Sequence, residues 1–296
     1  MADAKISSFA SHGTPVGADY VASILASGPT NKQLLLSDAR DYTNMLYSAS
    51  SADANIALAI NTLHVVDISG YTADRTATLP GTAAVGDRVG LALSVGDTAF
   101  ELLITATAGD TLNGIAGGTE WSRLFIIYEV VIMRCIVANT TWVVEYDGRI
   151  PMKAVIRLST SPDGETAATY TYPTAAATPG AWTADIDNGS LTDVTTDKIT
   201  FRRACKSIVV MTAVGKDAWT DQQYLGLFWE LNGTTLTAGQ TVYASGTSQP
   251  GGAVLVIRDF ATGDYIRYKY RTQAGSLGLL SSASVLYSSL QICEVL

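Results

Sequence analysis

The stretch AVLVIRDFATGDYIRYKYR, residues 253–271, decides the fold of this chain. Its second half alternates three basic residues with three large ones, Ile266, Tyr268 and Tyr270. A period of two predicts a strand with one buried and one solvated face. The turn residues at 263–264 and the apolar run at 254–257 predict a second strand just before it. The stretch therefore predicts neighbouring strands of an all-β unit.

Composition bounds the class of protein. The chain has 296 residues, 47% hydrophobic and 16% charged, which is enough for two folded domains. A net charge of −8 argues against binding to duplex nucleic acid, which needs a basic face. The sequence contains no apolar run of membrane-spanning length and no signal-peptide core near Met1, so we expect synthesis in the cytoplasm and no membrane insertion. The three cysteines are far apart and predict buried thiols.

The chain divides into three segments. Residues 1–50 hold too few apolar side chains for a core and predict an extended arm, followed by a small polar linker at 48–55. Residues 55–150 are rich in strand-forming runs and predict a β spacer domain. Pro151 marks a boundary, and residues 152–296 predict a second β unit. Within it, Asn232-Gly233 is the strongest hairpin signal of the chain.

The first two segments resemble parts of phage appendages. KIS at 5–7, DYV at 19–21 and TNKQL at 30–34 resemble the N-terminal attachment segment of tailed-bacteriophage fibre proteins. TLP at 78–80, VGDRV at 85–89, DTLNG at 110–114 and TWVV at 141–144 resemble a β domain that recurs in phage tail fibres and related virion proteins. The resemblance implies that the arm binds other virion proteins through six candidate residues, Ile6, Phe9, Tyr20, Ile24, Leu34 and Leu36.

The third segment resembles the C1q/TNF-like jelly roll. The order of a strand near Phe201, a strand at 206–213, the Asn-Gly hairpin and the Gly-Asp-Tyr-Ile element at 263–266 carries this likeness. The sequence departs from that family at Ala204-Cys205, where the family has a glycine and then an aromatic residue. The resemblance implies a homotrimer, with six candidates for its interface or for the core, Phe201, Tyr224, Phe228, Ile266, Tyr268 and Tyr270.

The sequence predicts no catalytic, cofactor or metal site. His12 and His64 have no triad-like partners in sequence, and the glycines near 81–90 lack the Lys-Ser/Thr of a phosphate loop. Residues 185–189 hint at a calcium loop, but the ligand spacing fails and predicts a turn. Trp219 and Tyr243 lie in or beside predicted loops and are candidates for contact with a host glycan or receptor.

Together these features predict an all-β structural protein of a bacteriophage particle, made in the host cytoplasm and displayed on the virion. We expect a trimeric tail fibre or receptor-binding appendage that binds and does not catalyse. A head fibre or capsid-decoration protein is the alternative. A polysaccharide-degrading appendage is the least favoured interpretation, because such enzymes are commonly long, repetitive β-helices and the sequence shows no repeat.

Overall fold

The computed structural model describes residues 45–159, 182–215, 224–243, 249–272, 279 and 288–295, excepting the side chains of 235–240, 242–243 and 271–272. Every regular element in these ranges is a β-strand, which confirms the all-β prediction. The chain forms two compact units that meet between Ile150 and Pro151, called unit 1 and unit 2 below. The predicted arm, apart from its last residues, lies outside the described ranges.

Unit 1 contains a seven-stranded and a four-stranded sheet. The larger sheet has the order β1-β3-β5-β10-β11-β7-β8 and the smaller one the order β2-β4-β6-β9. The strands are β1 (Leu46–Ser50), β2 (Ile56–Ala57), β3 (Thr62–Asp67), β4 (Arg75–Thr78), β5 (Arg88–Val95), β6 (Leu102–Thr105), β7 (Thr111–Leu112), β8 (Ile115–Ala116), β9 (Glu120–Leu124), β10 (Val130–Val137) and β11 (Thr141–Gly148).

The first six strands wind as a parallel coil. Successive strands alternate between the two sheets, and within each sheet β1, β3 and β5, or β2, β4 and β6, run parallel. Leu46, Thr62 and Val89 are matched in register, so the turns of the coil are 16 and then 27 residues long. Because this spacing is irregular, the coil leaves no repeat in the sequence. Strands β9 to β11 then close the unit with antiparallel pairs.

One predicted boundary in unit 1 differs from the structure. Residues 46–50, which the sequence assigned to the arm and partly to a linker, form β1 and pair with β3. Their small polar residues are typical of a linker, but they suit an edge strand that is only partly buried. The apolar stretch 125–134 is divided by a turn, because the buried carboxylate of Glu129 accepts hydrogen bonds from the backbone N–H groups of Phe125 and Ile126.

Unit 2 contains two five-stranded sheets, with the orders β13-β12-β21-β16-β19 and β14-β15-β20-β17-β18. The nested pairs β12–β21, β15–β20, β16–β19 and β17–β18 are those of a jelly roll, which confirms the predicted fold. The strands are β12 (Lys153–Leu158), β13 (Trp182–Asp187), β14 (Thr192–Asp193), β15 (Lys198–Thr200), β16 (Cys205–Val214), β17 (Tyr224–Leu231), β18 (Thr234–Tyr243), β19 (Gly251–Phe260), β20 (Tyr265–Thr272) and β21 (Ser289–Val295).

The core of unit 2 lies between these two sheets and is rich in aromatic rings. Phe201 stacks on Phe260 with ring centroids 3.9 Å apart, and Trp182 lies 5.5 Å from Tyr268. The Asn232-Gly233 turn joins β17 to β18 as predicted, with φ angles of 50° and 82°. A glycine with no Cβ adopts the second of these angles without strain, which explains the turn.

Candidate functional site

The predicted site residues divide into those inside unit 2 and those outside the described ranges. Among the core or interface candidates, four are fully buried in the sandwich, namely Phe201, Ile266, Tyr268 and Tyr270. Tyr224 and Phe228 are half-buried on β17. The buried hydroxyl of Tyr268 donates to the carbonyl of Thr212 at 3.0 Å, and burial raises the pKa of this phenol well above its ordinary value. These aromatic residues hold the two sheets together.

The other candidates cannot be assigned a structural role. All six arm candidates, Ile6, Phe9, Tyr20, Ile24, Leu34 and Leu36, lie outside the described residues. The proposed receptor contact Trp219 lies outside them as well. Tyr243 is the last residue of β18, paired in register with Tyr224, and only its backbone is described. The sequence-based hypotheses on virion attachment and receptor contact therefore stay predictions.

The outer face of one sheet of unit 2 is unexpectedly apolar. Residues paired across a sheet point to the same side, and Val210 pairs with Leu255 just as Ile208 pairs with Ile257. Their neighbours Val209 and Met211 point inward and are buried. The same outer row continues through Gln291 to Val155 and Ile186. We call this set the apolar sheet face: Val155, Ile186, Ile208, Val210, Leu255 and Ile257.

The exposure of this face is large for apolar side chains. Leu255 is 65% exposed, Ile257 is 59% exposed and Ile186 is 49% exposed, whereas Val155 is buried by its neighbours. The solvent side of an antiparallel sheet ordinarily alternates to polar residues. An apolar patch of this kind, in which several strands contribute neighbouring side chains, is typical of a surface that binds another protein.

Charged residues border the apolar sheet face. Lys206 and Asp259 approach each other at 3.9 Å on exposed side chains at one end of β16 and β19. At another border, Arg157 on β12 makes an ion pair with Asp185 on β13 at 2.7 Å. An apolar centre with a polar rim is the usual anatomy of a protein–protein interface.

A buried ion pair fixes the strands beneath this face. Arg203, in the segment before β16, is fully buried and donates to the carboxylate of Glu294 on β21, with Nη2 2.7 Å from Oε2. The same Oε2 accepts the backbone N–H of Met152 at 2.8 Å. One carboxylate therefore joins the approach to β12, the approach to β16 and the end of β21. Since these three strands are neighbours in the sheet, the contact fixes the backbone that carries the apolar sheet face.

Two kinds of feature, a metal site and a membrane-spanning helix, are not found among the described residues. In these ranges no group of three or more His, Cys, Asp or Glu side chains is arranged to hold a metal ion. No helix among the same residues is long and apolar enough to cross a membrane. Of the predicted turn at 185–189, residues 185–187 belong to β13, and the chain bends only at 188–190. The Asp187 carboxylate accepts backbone N–H groups from Leu191 at 2.7 Å and Thr192 at 3.0 Å.

Sequence reasoning missed the apolar sheet face although a signal was present. The run Val254–Ile257 places apolar residues on both sides of β19, and the run Ile208–Val210 does so on β16. A strand with one solvated face alternates, so an unbroken apolar run predicts that both faces are covered.

Comparison with known proteins gives only distant likenesses. The chain matches no protein-family model and no curated protein. Among solved structures, murine APRIL at pH 8.5 is 11% identical over 49% of this chain and 100% of its own, with a TM-score of 0.35. Eiger TNF from S. frugiperda is 11% identical over 50% of this chain and 94% of its own, with a TM-score of 0.33. The strand order of unit 2 identifies the jelly roll independently of these likenesses.

Proposed function

We propose that the protein is a structural component of a tailed-bacteriophage particle, a homotrimeric tail fibre or receptor-binding appendage whose unit 2 self-associates through the apolar sheet face. The observation that carries the proposal is the exposure of Leu255 and Ile257 on β19, the edge strand of a sheet whose outer side is apolar on the neighbouring strand β16 as well. In a trimer with a threefold axis, the apolar sheet face of each copy would be covered by the other copies, and the assembly would be closed. The resemblance of unit 2 to C1q/TNF-like jelly rolls supports the number three.

The phage assignment is supported by the sequence order of the first two segments. The attachment motifs before residue 40 and the spacer motifs between 78 and 144 match the plan of an appendage with an anchor, a spacer and a head. The compact β units on either side of Pro151 suit the spacer and head of that plan. Binding, and not catalysis, is the proposed work of the head.

The first experiment measures the mass of the purified chain by light scattering. A trimer has three times the chain mass of 31.2 kDa. Replacing Leu255 and Ile257 by Lys removes about 1–2 kcal/mol of burial per side chain and adds charges that must be desolvated, so we expect a monomer. Ile115→Lys, at a 39% exposed site in unit 1, is the matched control and keeps the mass of the unmodified chain.

Electron microscopy of particles then tests the assignment to the virion. Labelled protein at the tail supports the fibre, and label on the head supports the head-fibre or decoration alternative. A monomeric unmodified chain contradicts the trimer, and a chain that is missing from purified particles contradicts the virion assignment.

A further inference from the structure

A second exposed apolar surface lies at one end of the larger sheet of unit 1. Five side chains form it, and we call them the apolar rim: Leu46, Ile60, Val85, Ile136 and Val137. Leu46 is 71% exposed, Val85 is 66% exposed and Val137 is 51% exposed. Ile60 and Ile136 are each exposed to about two fifths, at 40% and 39%. These values leave the rim without a role in the core of unit 1.

The residues of the apolar rim lie at the ends of neighbouring strands in the larger sheet of unit 1. Strands β1, β3 and β5 run parallel and β10 runs antiparallel to β5, so the starts of the first three meet the end of β10. The backbone N–H of Leu46 donates to Asn61, which follows Ile60, and the N–H of Asn61 donates to the carbonyl of Arg88. Gly86, next to Val85, donates to the carbonyl of Cys135, next to Ile136. The five side chains therefore come from adjacent segments.

The loop that presents Val85 is fixed by hydrogen bonds at both ends. The N–H of Ala83 donates to Asn139 Oδ1 at 2.8 Å, and the N–H of Asn139 donates to the carbonyl of Ala83 at 3.0 Å. The Asp87 carboxylate accepts the N–H of Ala84 at 2.8 Å and the side-chain amide of Asn61 at 3.0 Å. A loop held in this way has a restrained backbone, which lowers the entropy cost of binding a partner.

The rim lies where the proposed arm joins unit 1. The chain passes from residue 44 directly into β1, whose first residue is Leu46. A virion protein that holds the arm close to this junction meets the rim at the same time. When two contacts bind the same partner, formation of one contact raises the effective concentration at which the other contact forms.

We propose that the apolar rim is the second contact of the attachment surface and binds an apolar patch on the virion protein that holds the arm. This inference rests on the proposed function. It adds a surface on unit 1 to an anchor that the sequence places in residues 1–50 alone.

The test replaces Val85 and Val137 by Lys in the full chain. The matched control is Val95→Lys, because Val95 is 36% exposed and lies at the opposite end of β5 from Val85. Each protein is supplied to a phage that lacks its own copy, and the amount incorporated into purified particles is measured by quantitative mass spectrometry. We expect at least a tenfold loss for the rim variant, with an unchanged mass by light scattering, and normal incorporation of the control.

The other outcomes overturn the inference in distinguishable ways. Incorporation of the rim variant at the level of the unmodified chain means that the rim makes no virion contact. A fall in the solution mass means that the rim binds a second copy of the chain. Faster proteolysis within residues 1–44 in the purified variant means that the rim covers the chain's own arm. Failure of the unmodified chain to enter particles rejects the proposed function, and this inference with it.

Discussion

Glu294→Gln is a nearly isosteric substitution for which the structure predicts a large loss of stability. The Arg203 and Glu294 side chains are 0% and 2% exposed, and the carboxylate also accepts the N–H of Met152. Glutamine keeps an acceptor oxygen for Met152 but removes the carboxylate charge that pairs with a fully buried guanidinium. Removing one partner of a buried pair costs about 3–5 kcal/mol. We expect that loss in the free energy of unfolding of unit 2.

The double variant Arg203→Met with Glu294→Gln separates two causes of lost stability, the burial of an arginine charge without its glutamate and the loss of the contact itself. With both charges removed, the new side-chain amide oxygen still accepts the N–H of Met152, so the double variant should lose about 1–2 kcal/mol, less than Glu294→Gln alone. Urea unfolding at one fixed protein concentration measures the losses, and hydrogen exchange in β21 assigns them to unit 2. Glu145→Gln, in the partly exposed pair with Arg88, is the control and should lose less than about 1 kcal/mol. A double variant that loses as much unfolding free energy as Glu294→Gln alone, or more, would refute the reasoning.

Two further predictions concern single sites. Burial lowers the pKa of His64, and its Nε2 accepts the N–H of Ala59 at 2.9 Å, so neutral histidine stabilises unit 1 above pH 6.5 and this stability is lost as the pH falls towards the lower folded pKa. The variant His64→Gln keeps an acceptor and should therefore show a smaller fall in melting temperature between pH 7.5 and 5.5 than the unmodified chain. An equal fall in the two proteins would contradict this account. Gly233→Ala should cost about 1–2 kcal/mol of unfolding free energy in a urea titration, because φ at this residue is +82°. The control Gly70→Ala, with no atom within 4 Å of the added methyl group, should leave the unfolding free energy unchanged.

Local patterns in the sequence predicted much of unit 2. The alternation around Tyr268 gave the buried face of β20, and the Asn232-Gly233 pair gave the hairpin, because both signals depend on residues close together in the chain. The jelly-roll fold of unit 2 was predicted from the family resemblance instead. A strand's period does not reveal which distant strand it pairs with.

The parallel coil of unit 1 and the two apolar surfaces were not predicted. Strand direction depends on how the chain returns over coil turns of 16 and 27 residues, and the length of a turn does not distinguish a return in the same sheet from a crossing to the other. The sequence does not mark Leu255 or Val85 as exposed, since hydrophobicity alone does not say whether a side chain is covered by its own chain or by a partner. For the apolar rim, the deciding fact is a loop geometry that involves Asn139, more than fifty residues away.

The pairing of β12 with β21 has a consequence for the evolution of such a protein. Lys153 lies opposite Cys293, and the N–H of Glu294 donates to the carbonyl of Met152, so the first and last described strands of unit 2 begin and finish side by side. A folded unit whose two ends are adjacent can be removed or replaced by recombination while the rest of the chain keeps its path. Exchange of this segment between genes would replace unit 2 and leave unit 1 unchanged.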